Sequence, residues 1–255
     1  MSFSTLTYEK GDGLAVVTLS RPQWLNIYNV RMRDELWEVL GAARDDDEVR
    51  AVIFAGAGRA FCAGADLTEF GTAPSVTVAR HVRWERDVWG RLDVLPQLTI
   101  AAMHGYALGT GLELALLCDL RLAAEGTVLG LPEVSLGFIP AAGGTQTLAR
   151  VVGPAQARRL ILGAERIDAA EAWRIGLVHR VVPREALLAE AEALARRICQ
   201  QPAAAIRRAK EAVKRGIELP LASALELERR LAGLLAAERG GPRPASASPP
   251  APSEG

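Results

Sequence analysis

The 255-residue sequence is short of cysteine, histidine and aromatics, and it has no surplus of either charge. Each shortage excludes something. Cys62, Cys118 and Cys199 are odd in number and far apart, with no Cys-x-x-Cys and no Cys/His cluster, so a disulfide framework and a metal site are not expected. Thirty basic residues balance thirty acidic ones, so no global field favours nucleic acid or an acidic membrane surface. No apolar run reaches the length of a membrane span. The opening MSFSTLTYEKGDG lacks an apolar h-region and an Arg-rich amphipathic pattern. A cytoplasmic protein is expected, with no nucleic-acid partner and no membrane. His81, His104 and His179 form no constellation with a serine or cysteine. Gly-x-Ser-x-Gly is missing too, which disfavours a nucleophile-elbow hydrolase.

What is present is a chain 49% hydrophobic and 24% charged, enough for a substantial core. LAVVTLS (14–20), VRAVIFAG (49–56), LTIAAMHG (98–105), DLRLAA (119–124) and GLVHRVV (176–182) read as strands. Helical spacing of Leu36, Val39, Leu40 and Ala43 predicts a helix over 30–43. Asp66 N-caps a short helix through LTEF, GTAPS breaks the chain, and a further helix runs to about Leu95. Residues 109–117 read as a helix. Later stretches are mostly helical: PAQARRLILG, DAAEAWRIG, REALLAEAEALARRICQ, PAAAIRRAKEAVKRG and 221–238. The closing GGPRPASASPPAPSEG is Pro-, Ala- and Ser-rich and is expected to be disordered.

Three stretches carry chemistry. In FCAGADL (61–67) small residues lie between a strand and a helix start, where backbone N–H groups lack intrahelical partners. A tight turn capped by Asp66 and a seat for a ligand oxygen are both open readings. LGTG (108–111) repeats the arrangement, and two converging amides make an oxyanion hole. Behind it, Glu113 sits in the apolar run LELALL. A carboxylate there either points to solvent or is wanted in a dry place. In LPEVSLGFIPAAGGTQ (131–146), Glu133 follows Pro132 and precedes the small-residue loop AAGG. It is either a solvated helix-start charge or a second convergent acid.

These motifs, in this order, resemble the crotonase family, the enoyl-CoA hydratase/isomerase superfamily. AGAGRAFCAGADL resembles its first oxyanion loop, IAAMHGYALGTGLELALLCDLRLAA its second, and GLPEVSLGFIPAAGGTQTLAR its acid-bearing segment. SRPQWLN resembles the family's strand-end loop, and the resemblance spans roughly residues 5–215. It implies an α/β fold, a crotonase-like spiral of ββα turns followed by a helical C-terminal region. The implied domains are a spiral core over 1–195, a helical trimerisation region over 196–239 and a disordered tail over 240–255.

The resemblance also implies roles. Ala65 and Thr110 fall at the oxyanion amides, Glu113 and Glu133 at the two hydratase carboxylates, and Ala141 at an amide beside the attacking water. Coenzyme A, part of the substrate and not a cofactor, is expected near Gln23, Trp24, Leu25, Arg59, Ala63, Gly64 and Asp66. Phe70, Trp84, Trp89 and Phe138 are acyl-pocket candidates; aromatics at helical spacing are more often packing, and Phe138 is the better candidate because it lies five residues after Glu133. Thr110 and Ala141 stand where glycine is common in the family, and a β-branched residue at Thr110 fits only if its φ is helical. The family's acidic-Gly segment and basic C-terminal stretch are missing. The implied activity is that of an enoyl-CoA hydratase, a lyase of fatty acid metabolism, assembled as a homotrimer or homohexamer. The rivals are a Δ3,Δ2-enoyl-CoA isomerase or another acyl-CoA enzyme of this fold, and a catalytically idle crotonase-like protein that binds RNA.

Overall fold

A computed structural model describes residues 3–69, 72–75, 77–78, 81 and 85–238. They divide into two compact units between Gln200 and Gln201.

In the first unit the strands are β1 (Leu6–Gly11), β2 (Leu14–Leu19), β3 (Ala51–Gly56), β4 (Leu98–Met103), β5 (Tyr106–Leu108), β6 (Leu120–Ala124), β7 (Val128–Gly130), β8 (Arg166–Asp168) and β9 (Arg180–Val182). Its helices are α1 (Val30–Asp45), α2 (Val88–Asp93), α3 (Thr110–Leu117), α4 (Gly144–Leu162), α5 (Ala169–Arg174) and α6 (Leu187–Cys199). One sheet has six strands in the order β1-β2-β3-β4-β6-β9, and the other has three in the order β5-β7-β8. β1 and β2 form an antiparallel hairpin, and β2, β3, β4, β6 and β9 run parallel. The hairpin turns at Asp12 and Gly13, both at positive φ, the geometry that two-residue Asp-Gly loops favour. β4 and β6 lie in the large sheet, and the strands that follow each, β5 and β7, pair in the small one. This alternation is the spiral of ββα turns.

The central parallel strands are mostly apolar because both faces are covered, β3 (AVIFAG) entirely so. Val52 and Phe54 of β3 join a core with Leu36 and Leu40 of α1. Ala51 and Ile53 turn to the other face, against Leu187, Ala191 and Ala195 of α6. In the second unit, α7 (Ala203–Gly216) packs on α8 (Leu221–Glu238).

Several expectations need correction. β1 was not anticipated, because most of its residues are exposed and polar. β5, β7 and β8, three residues each, are likewise outside the expected strands. The strand expected over 176–182 is reduced to its last three residues. The helix expected from Pro154 begins ten residues earlier, and Gly153 (φ 80°, ψ 159°) breaks it just before the proline. The helix ending at Leu95 starts afresh at Val88, capped by the Asp87 side chain on the Gly90 N–H. The disordered tail expected over 240–255 lies outside the described residues.

Glu35 ties β1 to α1. Only 4% exposed, it accepts hydrogen bonds from the Ser4 and Thr5 amides (2.9 and 2.8 Å), from both hydroxyls (2.9 and 2.6 Å) and from Arg31 Nε (2.6 Å). Burial pushes this carboxyl upward, but the hydrogen bonds from Thr5, Ser4 and Arg31 win and hold it at about 2. A depressed carboxyl contributes stability in full above its ordinary value of 4.5, and the contribution fades as pH falls toward about 2. Glu35→Gln is expected to cost about 1–3 kcal/mol at neutral pH in denaturant unfolding and to flatten the loss of stability between those two pH values.

Candidate active site

The site is assembled by backbone pairing. The segment after β3 runs beside β5: Cys62 pairs with Ala107, the Cys62 amide donates to Tyr106 O (3.0 Å), and the Leu108 amide donates to Cys62 O (3.0 Å). This sets the Gly64–Ala65 turn next to Gly109 and Thr110. Gly111 makes the approach possible, since a Cβ there would run into the Cys62 carbonyl. On its other side the turn pairs with Tyr28, whose amide donates to Gly64 O (2.8 Å) and whose carbonyl accepts from the Asp66 amide (2.7 Å). In that parallel bridge the amide of Ala65 faces away from Tyr28.

Thr110 is the first residue of α3 and does not have positive φ; Gly109, at φ 50°, makes the sharp bend instead. The threonine is therefore unstrained and keeps its N–H at a helix start, where no intrahelical acceptor exists. Neither the Ala65 nor the Thr110 amide has an acceptor among the described residues. Both residues line one cavity of about 610 Å³.

Two carboxylates share that cavity. Glu113, on the first turn of α3, is 2% exposed. Its Oε1 accepts from the amides of Ala142 (2.8 Å) and Gly144 (3.0 Å), at the start of α4. The helix end supplies both donors and a favourable dipole. This answers why a glutamate lies in an apolar run: its charged group is buried but met by main-chain N–H groups. Glu133, in the 3-10 turn Pro132–Leu136, is different. Its Oε2 is buried with no hydrogen-bond partner. Burial pushes its carboxyl up to about 7; a hydrogen bond from its own amide opposes this, and the nearby Glu113 charge adds to it. The two acids therefore occupy opposite environments, one held by amides and one dry.

Other predicted residues divide. Ala63, Gly64, Asp66, Trp89, Phe138 and Ala141 line the cavity. Asp66 also caps the 3-10 turn Leu67–Glu69 by accepting from the Thr68 amide (3.2 Å), and it pairs with Arg21 at 3.3 Å. Gln23, Trp24 and Leu25 do not line the cavity, although Leu25 O accepts from the Ala63 amide (3.1 Å). Arg59 is exposed and also lies off the cavity wall. Phe70 and Trp84 lie outside the described residues.

Three residues were missed. Ala142 and Gly144 hold Glu113, and the signal was present in AAGG before a helix start. Asn26, fully buried, accepts from the Arg21 amide (2.8 Å) and donates to the carbonyls of Ala57 (2.8 Å) and Ala60 (2.7 Å). It fixes the loop ahead of the Ala65 turn. A lone asparagine in a loop gives no sequence signal for that work. Among the described residues, no cluster of His, Cys, Asp or Glu suits a metal ion, and no helix is long and apolar enough to cross a membrane.

The spiral of ββα turns is the crotonase fold, and here it brings the Ala65 and Thr110 amides, Glu113 and Glu133 to one cavity. The chain belongs to the enoyl-CoA hydratase/isomerase family, which it matches over residues 9–239. It is 43% identical over 233 residues to the Mycobacterium tuberculosis protein named Probable enoyl-CoA hydratase, covering 91% of this chain and 89% of that one. It is 39% identical over 234 residues to the short-chain-enoyl-CoA hydratase of Clostridium acetobutylicum, with 91% and 90% covered. A Thermobifida fusca homologue solved in complex with CoA superposes with a TM-score of 0.86 at 34% identity, covering 92% of this chain and 94% of that one.

The packing of Gly111 is open to a direct check. Gly111→Ala is expected to destabilise the fold by about 1–3 kcal/mol through overpacking, read as a lowered thermal midpoint.

Proposed function

We propose that this protein is an enoyl-CoA hydratase, adding water across the C2=C3 bond of a 2-enoyl-CoA thioester. The observation that carries this reading is the unlike pair of carboxylates facing one cavity beside two unspent amides. The Ala65 and Thr110 amides receive the thioester oxygen and stabilise the charge that builds there as C3 is attacked. An oxyanion donor of this kind is worth about 3–4 kcal/mol of barrier. Glu113, oriented by Ala142 and Gly144, takes one proton from water while the water oxygen bonds to C3. Glu133, protonated near neutral pH, delivers its proton to C2. The proton held by Glu113 then returns to Glu133 through solvent. The net change is one water added, with no oxidation or reduction, so the chemistry calls for no cofactor.

An isomerase moves one proton between carbons and manages with a single acid, so the retained pair favours hydration. Two acids of unlike environment in one cavity likewise speak against an idle RNA-binding role. Coenzyme A supplies binding energy away from the reacting carbons, with Ala63, Gly64 and Asp66 beside the thioester and Gln23, Trp24, Leu25 and Arg59 toward the nucleotide. Ala141 flanks the water, and Trp89 and Phe138 flank the acyl chain. The working form in this reading is a cytoplasmic homotrimer or homohexamer.

Hydration is followed as loss of the conjugated thioester absorbance of crotonoyl-CoA. Glu113→Gln and Glu133→Gln are each expected to lower turnover by about 10²–10⁴-fold; wild-type rates in both variants would overturn the assignment. Because Glu133 donates only while protonated, kcat/KM for hydration is expected to fall as pH rises through about 7. That descending limb should be missing in Glu133→Gln.

A further inference from the structure

One wall of the cavity does not suit a plain hydrocarbon chain. Tyr28, paired through its backbone with Ala65, meets Trp89 with ring centroids 5.2 Å apart. Arg33 of α1 and Arg86 before α2 line the same cavity as that aromatic pair. The Arg33 side chain is only 15% exposed. Its Nε and Nη2 donate to Asp34 Oδ1 at 2.9 and 2.7 Å, and its Nη1 makes no hydrogen bond among the described residues. Arg86 Nη1 lies 3.5 Å from the same Asp34 oxygen and 4.0 Å from Glu38. One carboxylate thus sits between two guanidiniums. Glu69 also borders the cavity, but its Oε2 accepts the Val30 N–H (2.8 Å) at the start of α1, where the helix dipole favours a negative charge.

A guanidinium is donor-only and always charged. Packing an alkyl tail against Arg33 would strip water from unspent N–H groups and return nothing. A carboxylate on the tail would restore those bonds as charge-assisted pairs. We propose that the acyl group of the preferred substrate ends in a carboxylate, bound by Arg33 with support from Arg86. The inference rests on the hydratase reading for the orientation of the acyl chain. The carboxylate takes no part in bond making: water still places its oxygen on C3 and a proton reaches C2.

The test compares matched 2-enoyl-CoA substrates that differ only in ending in a carboxylate or a methyl group. Wild-type kcat/KM is expected to favour the carboxylate by about tenfold to a hundredfold, the worth of one or two charge-assisted hydrogen bonds. Arg33→Met should collapse that ratio, and Arg86→Leu should reduce it. Calorimetric binding of the corresponding saturated acyl-CoA pair reads the same preference without turnover. Failure of hydration with a retained carboxylate preference in binding would therefore strike the hydratase reading and leave this one standing. A wild-type preference for the methyl end in both assays, or a ratio that neither variant changes, overturns the proposal.

Discussion

Two hydrogen bonds, from the amides of Ala142 and Gly144 to one oxygen of Glu113, are the constraint on which the site depends. They join the first turn of α3 to the first turn of α4. A buried carboxylate without donors would cost several kcal/mol and would neutralise itself instead. With them, the same residue links two helices and keeps a fixed direction. Gly144 is needed for this contact, because a Cβ there would sit 2.9 Å from Glu113 Oε1 and 2.9 Å from the Pro140 ring. Gly109 sets a similar limit on the other acid: a Cβ on it would lie 2.8 Å from Glu133 Oε1. Small residues at 109 and 144 thus set how closely the main chain approaches each carboxylate.

The second layer of support is less visible and lies away from the cavity. Arg121, 5% exposed, donates to Leu177 O (2.8 Å) and Cys118 O (2.8 Å), at the end of α3 opposite the site. A cation at a helix C-terminus meets carbonyls that have no other partners. His104 is buried with Nε2 3.2 Å from Gly58 O, and burial, with the charge of Arg184 adding, pushes it down to about 4. It stays neutral at working pH and acts as a strut for the loop before Phe61. Cys62, beneath the Ala65 turn, is pushed up to about 11 by burial and remains a thiol. None of these three groups lines the cavity; each holds the frame around it.

Much of this was legible in the residues. Long apolar strands such as β3 and β4 announce themselves because both faces are buried. The Gly-rich turns at 64 and 109, and the glutamate set in an apolar run, mark elements that line the cavity. What stayed hidden follows a pattern. β7 and β8 are too short to show alternation. β1 owes its place to hairpin pairing and to Glu35 more than to its own apolarity. The first half of α4 is spelled with glycine and threonine, and its helicity comes from packing Leu148 inward and from the Glu113 contact. Arg33 and Arg86 belong to stretches that read as ordinary amphipathic helix, and only the fold turns both toward one void.

The donors of this site share one property: they are peptide groups. Ala65, Thr110, Ala142 and Gly144 contribute N–H bonds that every residue except proline carries. Truncating the side chains of Ala65, Thr110 and Ala142 one at a time would therefore leave the electrostatics almost intact, and such a scan would report three unimportant positions. The apparatus is written in the path of the chain, and replacing a peptide bond with an ester would expose it where changing a side chain would not.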